Sequence, residues 1–152
     1  MDGYNLLGAD IELCGRNVIV EEFMKKYVMA ILIWIMIIPI AILNGGFREY
    51  VLVKLGIFAR PLSGIILSVC IFLVAYFLVP RIKNCVKRDY ILFGIIWFVL
   101  TNLFDLVAYI RDGEGFIDLL KSYNILTGNT WLFVVLTALF APMVVMKIRE
   151  GS

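Results

Sequence analysis

Asn44-Gly45-Gly46-Phe47-Arg48-Glu49 follows directly on an apolar run that covers residues 27–43. At about 1.5 Å per helical residue, such a run nearly matches the ~30 Å hydrocarbon core of a bilayer. The six residues place an amide, two glycines and two opposite charges at the end of that run. We therefore expect a first membrane-spanning helix that is kinked near Pro39 and is loosened or ended by Asn44, Gly45 and Gly46.

Three further apolar runs follow, over residues 62–79, 90–110 and 130–146. Of the 152 residues, 62% are hydrophobic and 17% are charged, and the mean hydropathy is +0.97. An ordinary soluble domain is nearer half apolar and a quarter charged. The sequence therefore predicts an all-α fold, an integral membrane four-helix bundle.

The chain divides into three parts on this basis. Residues 1–26 form a polar, partly acidic cytoplasmic segment, residues 27–146 form the transmembrane domain, and residues 147–152 form a cytoplasmic tail. The N-terminal segment is compatible with a short surface helix that leads into the membrane and also with a loosely ordered tail.

The two loops that join the first helix to the second and the third to the fourth are amphipathic. Apolar residues recur at near-helical spacing in 47–55 and again in 116–123. This pattern is typical of helices that lie along the membrane surface with the apolar side down. We expect one short interfacial helix in each loop.

Small residues and tryptophans indicate how the spans pack. Gly64, Ser68 and Ala75 form a face that allows close approach of another helix. A second small-residue stripe consists of Thr137, Ala138 and Ala141. Trp34, Trp97 and Trp131 are interpreted as lipid or interface anchors.

The basic residues predict the orientation. Nine of the 14 lie on the side that holds both termini and the middle loop; they are Arg16, Lys25, Lys26, Arg81, Lys83, Lys87, Arg88, Lys147 and Arg149. The positive-inside rule then places both termini in the cytoplasm of a multi-pass protein of the cell (inner) membrane. The cluster Arg81, Lys83, Lys87 and Arg88 is in the second place a candidate site for anionic lipid. A net charge of +2 does not favour a nucleic-acid partner.

The third span carries the costliest polar group. An Asp at the bilayer centre costs ~2.5–3.5 kcal/mol, and less near the ends, so Asp105 should face the bundle and find a partner. The planar fork of Arg48 suits a carboxylate, and we predict an Arg48–Asp105 contact. The candidate binding cluster is Asn44, Arg48, Glu49, Asn102, Asp105 and Tyr109.

This cluster has two interpretations. It can anchor the outer loop to the bundle, or it can line a small polar pocket that opens outward. Paired charges with an arginine are usually self-satisfying, which favours the anchor. A solvent-filled cavity that reaches Asp105 would favour the pocket.

The pattern Asn44-Gly45-x-x-Arg48-Glu49 resembles the Asn-Gly-x-x-Arg-Glu signature of a family of small bacterial four-span proteins known as hypothetical membrane proteins. The chain is similar to them also at Leu103-Phe104-Asp105, around Tyr123-Asn124, Gly128 and Trp131, and at Ala141-Pro142. The resemblance covers about residues 31–145. It departs from the family pattern at Asp105 (Glu is expected), Ser122 (Asp is expected) and Asn129 (Arg is expected). The family implies the four-span architecture but no activity.

Three functions stay open. The first is a small transporter or channel component, in which several copies associate because four short helices leave little room for a path. The second is a non-catalytic accessory or scaffold subunit. The third is a membrane-embedded enzyme that acts on a lipid. Because the chain has no His and no carboxylate-rich metal or phosphate motif, we predict no catalytic residues, no metal and no cofactor.

Overall fold

The computed structural model describes residues 3–111, 113, 115–122 and 130–151. Two 3-10 helices, Leu52–Phe58 and Val79–Arg81, flank the second α-helix. The α-helices in the described residues are α1 (Gly3–Tyr50), α2 (Ala59–Leu78), α3 (Lys87–Arg111), α4 (Phe116–Ser122) and α5 (Trp131–Glu150).

Four helical segments are long and apolar enough to cross a membrane. They are Gly15–Tyr50, Leu52–Arg81, Lys87–Arg111 and Trp131–Glu150. The prediction of an all-α fold with four membrane-spanning helices is confirmed, and the chain is a polytopic membrane protein.

The outer faces of these helices are apolar. On α3 the exposed residues recur every fourth position; they are Ile91, Ile95, Val99, Leu103 and Val107. On α2 the corresponding stripe is Ile65, Val69, Leu73 and Phe77. Large apolar side chains repeated along one face are a liability in water. Here they provide the lipid-facing surface that a spanning helix needs.

The interior forms around α5, which packs against both α2 and α3. Glycines allow these contacts to be close. A Cβ atom added at Gly94 would collide with the carbonyl oxygen of Leu139, and one added at Gly64 would collide with the side chain of Thr130. The prediction that the Gly64 face approaches another helix closely is confirmed.

Two tryptophans join α1 to α3. Trp97 Nε1 donates to the carbonyl oxygen of Ala30 at 2.9 Å, and Trp34 Nε1 donates to Thr101 Oγ1 at 3.0 Å. Both pairs are separated by 67 residues, so the two helices run parallel in one register. Both tryptophan side chains are buried. Their interpretation as lipid anchors is wrong, because an indole N–H in hydrocarbon would have no acceptor, whereas inside the bundle it has one.

A buried acid also joins α1 to α3, at the opposite end of the two helices from Trp34. Asp89, which is 5% exposed, accepts hydrogen bonds from Lys26 Nζ at 3.3 Å, Tyr27 Oη at 3.1 Å and the backbone N–H of Val86 at 3.0 Å. The sequence analysis missed this site, since an acid within a basic loop has the pattern of a solvated residue.

The expected end of the first helix is wrong. α1 continues through Gly45 and Gly46 to Tyr50, and at the other end it begins at Gly3. The N-terminal segment is thus part of the same helix as the first span, and not a separate surface helix or a loose tail. Two glycines cost a helix about 1 kcal/mol each relative to Ala. In hydrocarbon, a broken backbone with unpaired N–H and C=O groups costs more.

The two amphipathic loops differ from one another. In the first, residues 47–50 complete α1 and Leu52–Phe58 form a 3-10 helix, so the single short helix predicted over 47–55 is split. The chain turns back from α1 toward α2 at Gly56, whose φ of 57° and ψ of −120° favour glycine. In the second loop α4 covers Phe116–Ser122, which confirms a helix there; Tyr123 lies outside the described residues.

Candidate functional site

A cavity of about 940 Å³ lies between the helices at the end of the bundle where α1 and α3 finish. α1, α2, α3 and the start of α5 all contribute to its wall. Its mouth is formed by exposed residues, among them Arg48, Glu49, Ile57 and Arg60. The deeper wall is mostly apolar and includes Ile37, Ile38, Leu67 and Ile71. The site is therefore a pocket with a charged entrance and an apolar interior.

Trp34 and Thr101 form the floor of the cavity. Trp34 and Thr101 both line the cavity and meet through the 3.0 Å bond from Nε1 to Oγ1. Beneath them the bundle is filled by Phe93 and Trp97, which are both fully buried. The cavity is thus closed toward the other side of the bundle.

Asp105 lies one helical turn above this floor. It is half-buried and lines the cavity. It lies four positions after Thr101 in the sequence, a rise of about 6 Å. Among the residues that the structure describes, Asp105 forms no hydrogen bond and no ion pair. A carboxylate at this depth without a protein partner can receive one only from the cavity.

Arg48 does not pair with Asp105, and the prediction of that contact is wrong. Its Nη2 atom lies 3.9 Å from Glu49 Oε1, and both side chains are substantially exposed. The shared register of α1 and α3 places Asp105 level with Ile38. Because α1 does not break at Gly45 and Gly46, Arg48 lies ten residues further on, about 15 Å along the axis. Because α1 is continuous, the Arg48 guanidinium lies at the mouth of the cavity and not beside Asp105.

Asn44 supports the wall between the mouth and Asp105. Its Nδ2 donates to Ser63 Oγ at 2.8 Å and to the Ser63 carbonyl oxygen at 3.1 Å. Its Oδ1 is buried without a hydrogen-bond partner. These bonds tie α1 to the first turns of α2. The amide that the sequence assigned to a helix end instead joins two helices.

The other predicted residues occupy different places. Tyr109 lines the cavity on α3, one turn beyond Asp105. Glu49 lies at the mouth. Asn102 does not contribute to the cavity wall, and its Nδ2 donates to the carbonyl oxygen of Phe98 at 2.8 Å. Five of the six predicted residues thus line one cavity, although the pairing expected between two of them is absent.

Several lining residues were missed by the sequence analysis. Ser63 and Thr101 are buried and polar, and Trp34 forms part of the floor. Ser63 lies one position before Gly64 and carried no signal of its own. Nothing in the sequence indicates that Asn44 and Ser63 meet, because that contact depends on how α1 and α2 pair.

No protein-family model, curated protein or solved structure matches this chain.

Proposed function

We propose that the protein is a small transporter or channel component whose cavity admits a small molecule from outside the cell. One observation carries the proposal: a cavity of about 940 Å³ reaches Asp105, whose carboxylate has no partner among the described residues. The size lies within the range of small-molecule sites, about 300–1,000 Å³. An ionisable residue inside a spanning helix is a functional candidate because keeping it there is costly.

The missing ion pair bears on the two interpretations of the polar cluster. An anchor would require Arg48 and Asp105 to satisfy each other. Arg48 instead lies near Glu49 at the mouth, and Asp105 faces the cavity. The interior of the pocket therefore keeps a carboxyl group available for a bound molecule, and this supports the pocket over the anchor.

The orientation is part of the proposal. Nine of the 14 basic residues flank the ends opposite the cavity, and the positive-inside rule then assigns both termini to the cytoplasm of the cell (inner) membrane. The cavity opens outward in that arrangement. Arg81, Lys83, Lys87 and Arg88 would meet anionic lipid at the cytoplasmic surface. Membership in the family of four-span proteins with the Asn-Gly-x-x-Arg-Glu signature belongs to the same proposal.

Transport would need more than this single static arrangement. The Trp34–Thr101 floor and the packed side chains below it leave no passage through one copy. A passage requires that the floor opens, or that two or more copies form a path between them. We propose a homo-oligomer on this ground.

The accessory-subunit function has one observation in its favour. Between Gly15 and Lys25, α1 extends beyond the core, and apolar side chains such as Val18, Ile19 and Phe23 are exposed there. A partner protein would find a continuous helical surface. An accessory subunit can function with a dry cavity, whereas a transporter needs a cavity that water enters. This difference separates the two functions.

Thiol accessibility tests the proposal. In a chain whose three native cysteines are replaced, Ala108→Cys places a thiol on the cavity wall, and Val107→Cys places one on the lipid-facing stripe. We expect a membrane-impermeant methanethiosulfonate, added outside intact cells, to modify residue 108 and to leave residue 107 unmodified.

A matched pair of glycine variants sharpens this test. Gly45 lines the cavity and Gly46 does not, and a Cβ atom at either position meets nothing within 4 Å. Gly45→Leu should slow modification of the thiol at 108, whereas Gly46→Leu should not. A thiol at 108 that stays unmodified from outside would refute the outward, water-filled cavity and favour the accessory subunit.

A further inference from the structure

We propose that the molecule held in this cavity is a lipophilic organic cation, with an ammonium-type head on Asp105 and an apolar body against the aliphatic wall. This inference rests on the proposed function and specifies its ligand class. The charge distribution in the cavity, its aromatic residues and its volume all support this assignment.

The charges are ordered along the cavity. Arg48, Glu49 and Arg60 are at the mouth, and their side chains are exposed. Among the described lining residues, Asp105 is the ionisable residue that lies deeper than these three, one turn above the floor. A desolvated charge gains most from an opposite charge with good geometry. The deep part of the cavity therefore offers a carboxyl group that can pair with a cation, and no basic side chain among the described lining residues that could pair with an anion there.

Four aromatic side chains belong to the wall of the same cavity. Trp34, Phe104, Tyr109 and Trp131 all line the cavity. The rings of Trp34 and Phe104 meet edge to face, with centroids 6.4 Å apart. The negative face of an aromatic ring attracts organic cations, and aromatic cages are a common solution for ammonium groups. A carboxylate with aromatic neighbours suits an alkylated ammonium better than a bare metal ion, which requires several oxygen ligands.

The size and polarity of the wall determine the rest of the ligand. The volume, about 940 Å³, is far more than an ammonium group occupies. Ile37, Ile38, Leu67 and Ile71 supply an aliphatic surface below and beside Asp105. A cation with a compact hydrocarbon body would fill this space and remove apolar surface from water.

Three molecules of one shape test the inference. They are 1-adamantylmethylammonium, 1-adamantylmethanol and 1-adamantanecarboxylate, each titrated calorimetrically into the full chain in lipid nanodiscs. We expect the ammonium to bind at least about tenfold more tightly than the alcohol or the carboxylate, since a charge-assisted hydrogen bond is roughly twice as strong as a neutral one. Asp105→Asn should remove this preference, and Asp105→Glu should retain it.

The glycine pair separates this inference from the proposed function. Gly45→Leu should weaken binding of the ammonium at the mouth, and Gly46→Leu should leave it unchanged. If all three molecules bind equally, or the carboxylate binds best, while Gly45→Leu still blocks them, the cavity is a binding site but the cation inference is overturned. If none of them binds, or Gly45→Leu has no effect, the proposed function fails with it.

Discussion

Trp34 Nε1 donates to Thr101 Oγ1 at 3.0 Å, directly beneath Asp105. The bond closes the cavity and fixes the level of α3 against α1. Together with the bond from Trp97 to the Ala30 carbonyl oxygen, it determines that Asp105 lies beside Ile38 and far from Arg48. The accessibility of the carboxylate is therefore a consequence of how two tryptophans pack.

Removing either partner of that bond should destabilise the bundle. Trp34→Phe leaves the Thr101 hydroxyl buried without its donor, and Thr101→Val leaves the indole N–H without its acceptor. Each change should cost about 1–3 kcal/mol in the free energy of unfolding, measured in bicelles. The double variant should cost less than the sum, because it leaves neither group unsatisfied. Additive losses would show that the bond does not hold the floor.

The buried acid at the end of the bundle opposite the cavity should contribute far more to stability than an exposed acid. Asp89→Ala leaves Lys26, Tyr27 and the Val86 N–H without their acceptor, and it should cost about 3–5 kcal/mol. Glu150→Ala is the control, since its contact with Lys87 at 3.3 Å joins two well-exposed side chains and should be worth about 0–1 kcal/mol. Similar losses for the two variants, in the same unfolding assay, would contradict the buried cluster.

Four glycines should respond differently to alanine. Gly45→Ala and Gly46→Ala meet open space inside a helix and should be neutral or stabilising by up to about 1 kcal/mol each. Gly94→Ala forces α3 away from the Leu139 carbonyl and should cost about 1–3 kcal/mol. Gly56→Ala places a side chain at positive φ, in a sparsely populated backbone region, and should cost about 1–3 kcal/mol. A loss at Gly45 or Gly46 as large as that at Gly94 would indicate that α1 breaks there.

Cys85 should react slowly and with a shifted pH dependence. Burial raises the pKa of its thiol, and the Asp89 carboxylate raises it further. A raised pKa means less thiolate at neutral pH, and the thiolate is the nucleophile. In detergent, maleimide labelling of Cys85 should be slower at pH 7 than labelling of a Lys83→Cys thiol, which is exposed, and its rate should rise at a higher pH. Both measurements need Cys14 and Cys70 replaced. Equal rates at pH 7 would mean that Cys85 is not shielded.

The sequence was sufficient to predict the number and the class of the helices, because long apolar runs have few alternatives to spanning a bilayer. It was also sufficient to identify Asp105 as a residue that faces the bundle, since an acid within such an apolar run is costly in contact with lipid. Five of the six predicted polar residues line one cavity because they lie near the same end of the chain's first and third spans.

The pairing within the cavity could not be predicted in the same way. The expected Arg48–Asp105 contact assumed that two glycines break a helix, and in this chain the backbone remains helical across Gly45 and Gly46. Trp34 and Trp97 were misassigned because tryptophan suits both an interface and a buried polar contact. The register of α1 against α3 depends on long-range packing, which single-span patterns do not contain.

A double-mutant cycle between Arg48 and Asp105, followed as the free energy of unfolding in bicelles, tests most directly whether the Asp105 carboxyl group is left without a protein partner. Asp105→Asn should be neutral or stabilising, because it removes a desolvated acid that has no protein partner. Arg48→Ala should cost little, and the two effects should add within about 0.5 kcal/mol. A loss of about 3 kcal/mol in each single variant, with little further loss in the double, would mean that the two side chains pair and close the cavity.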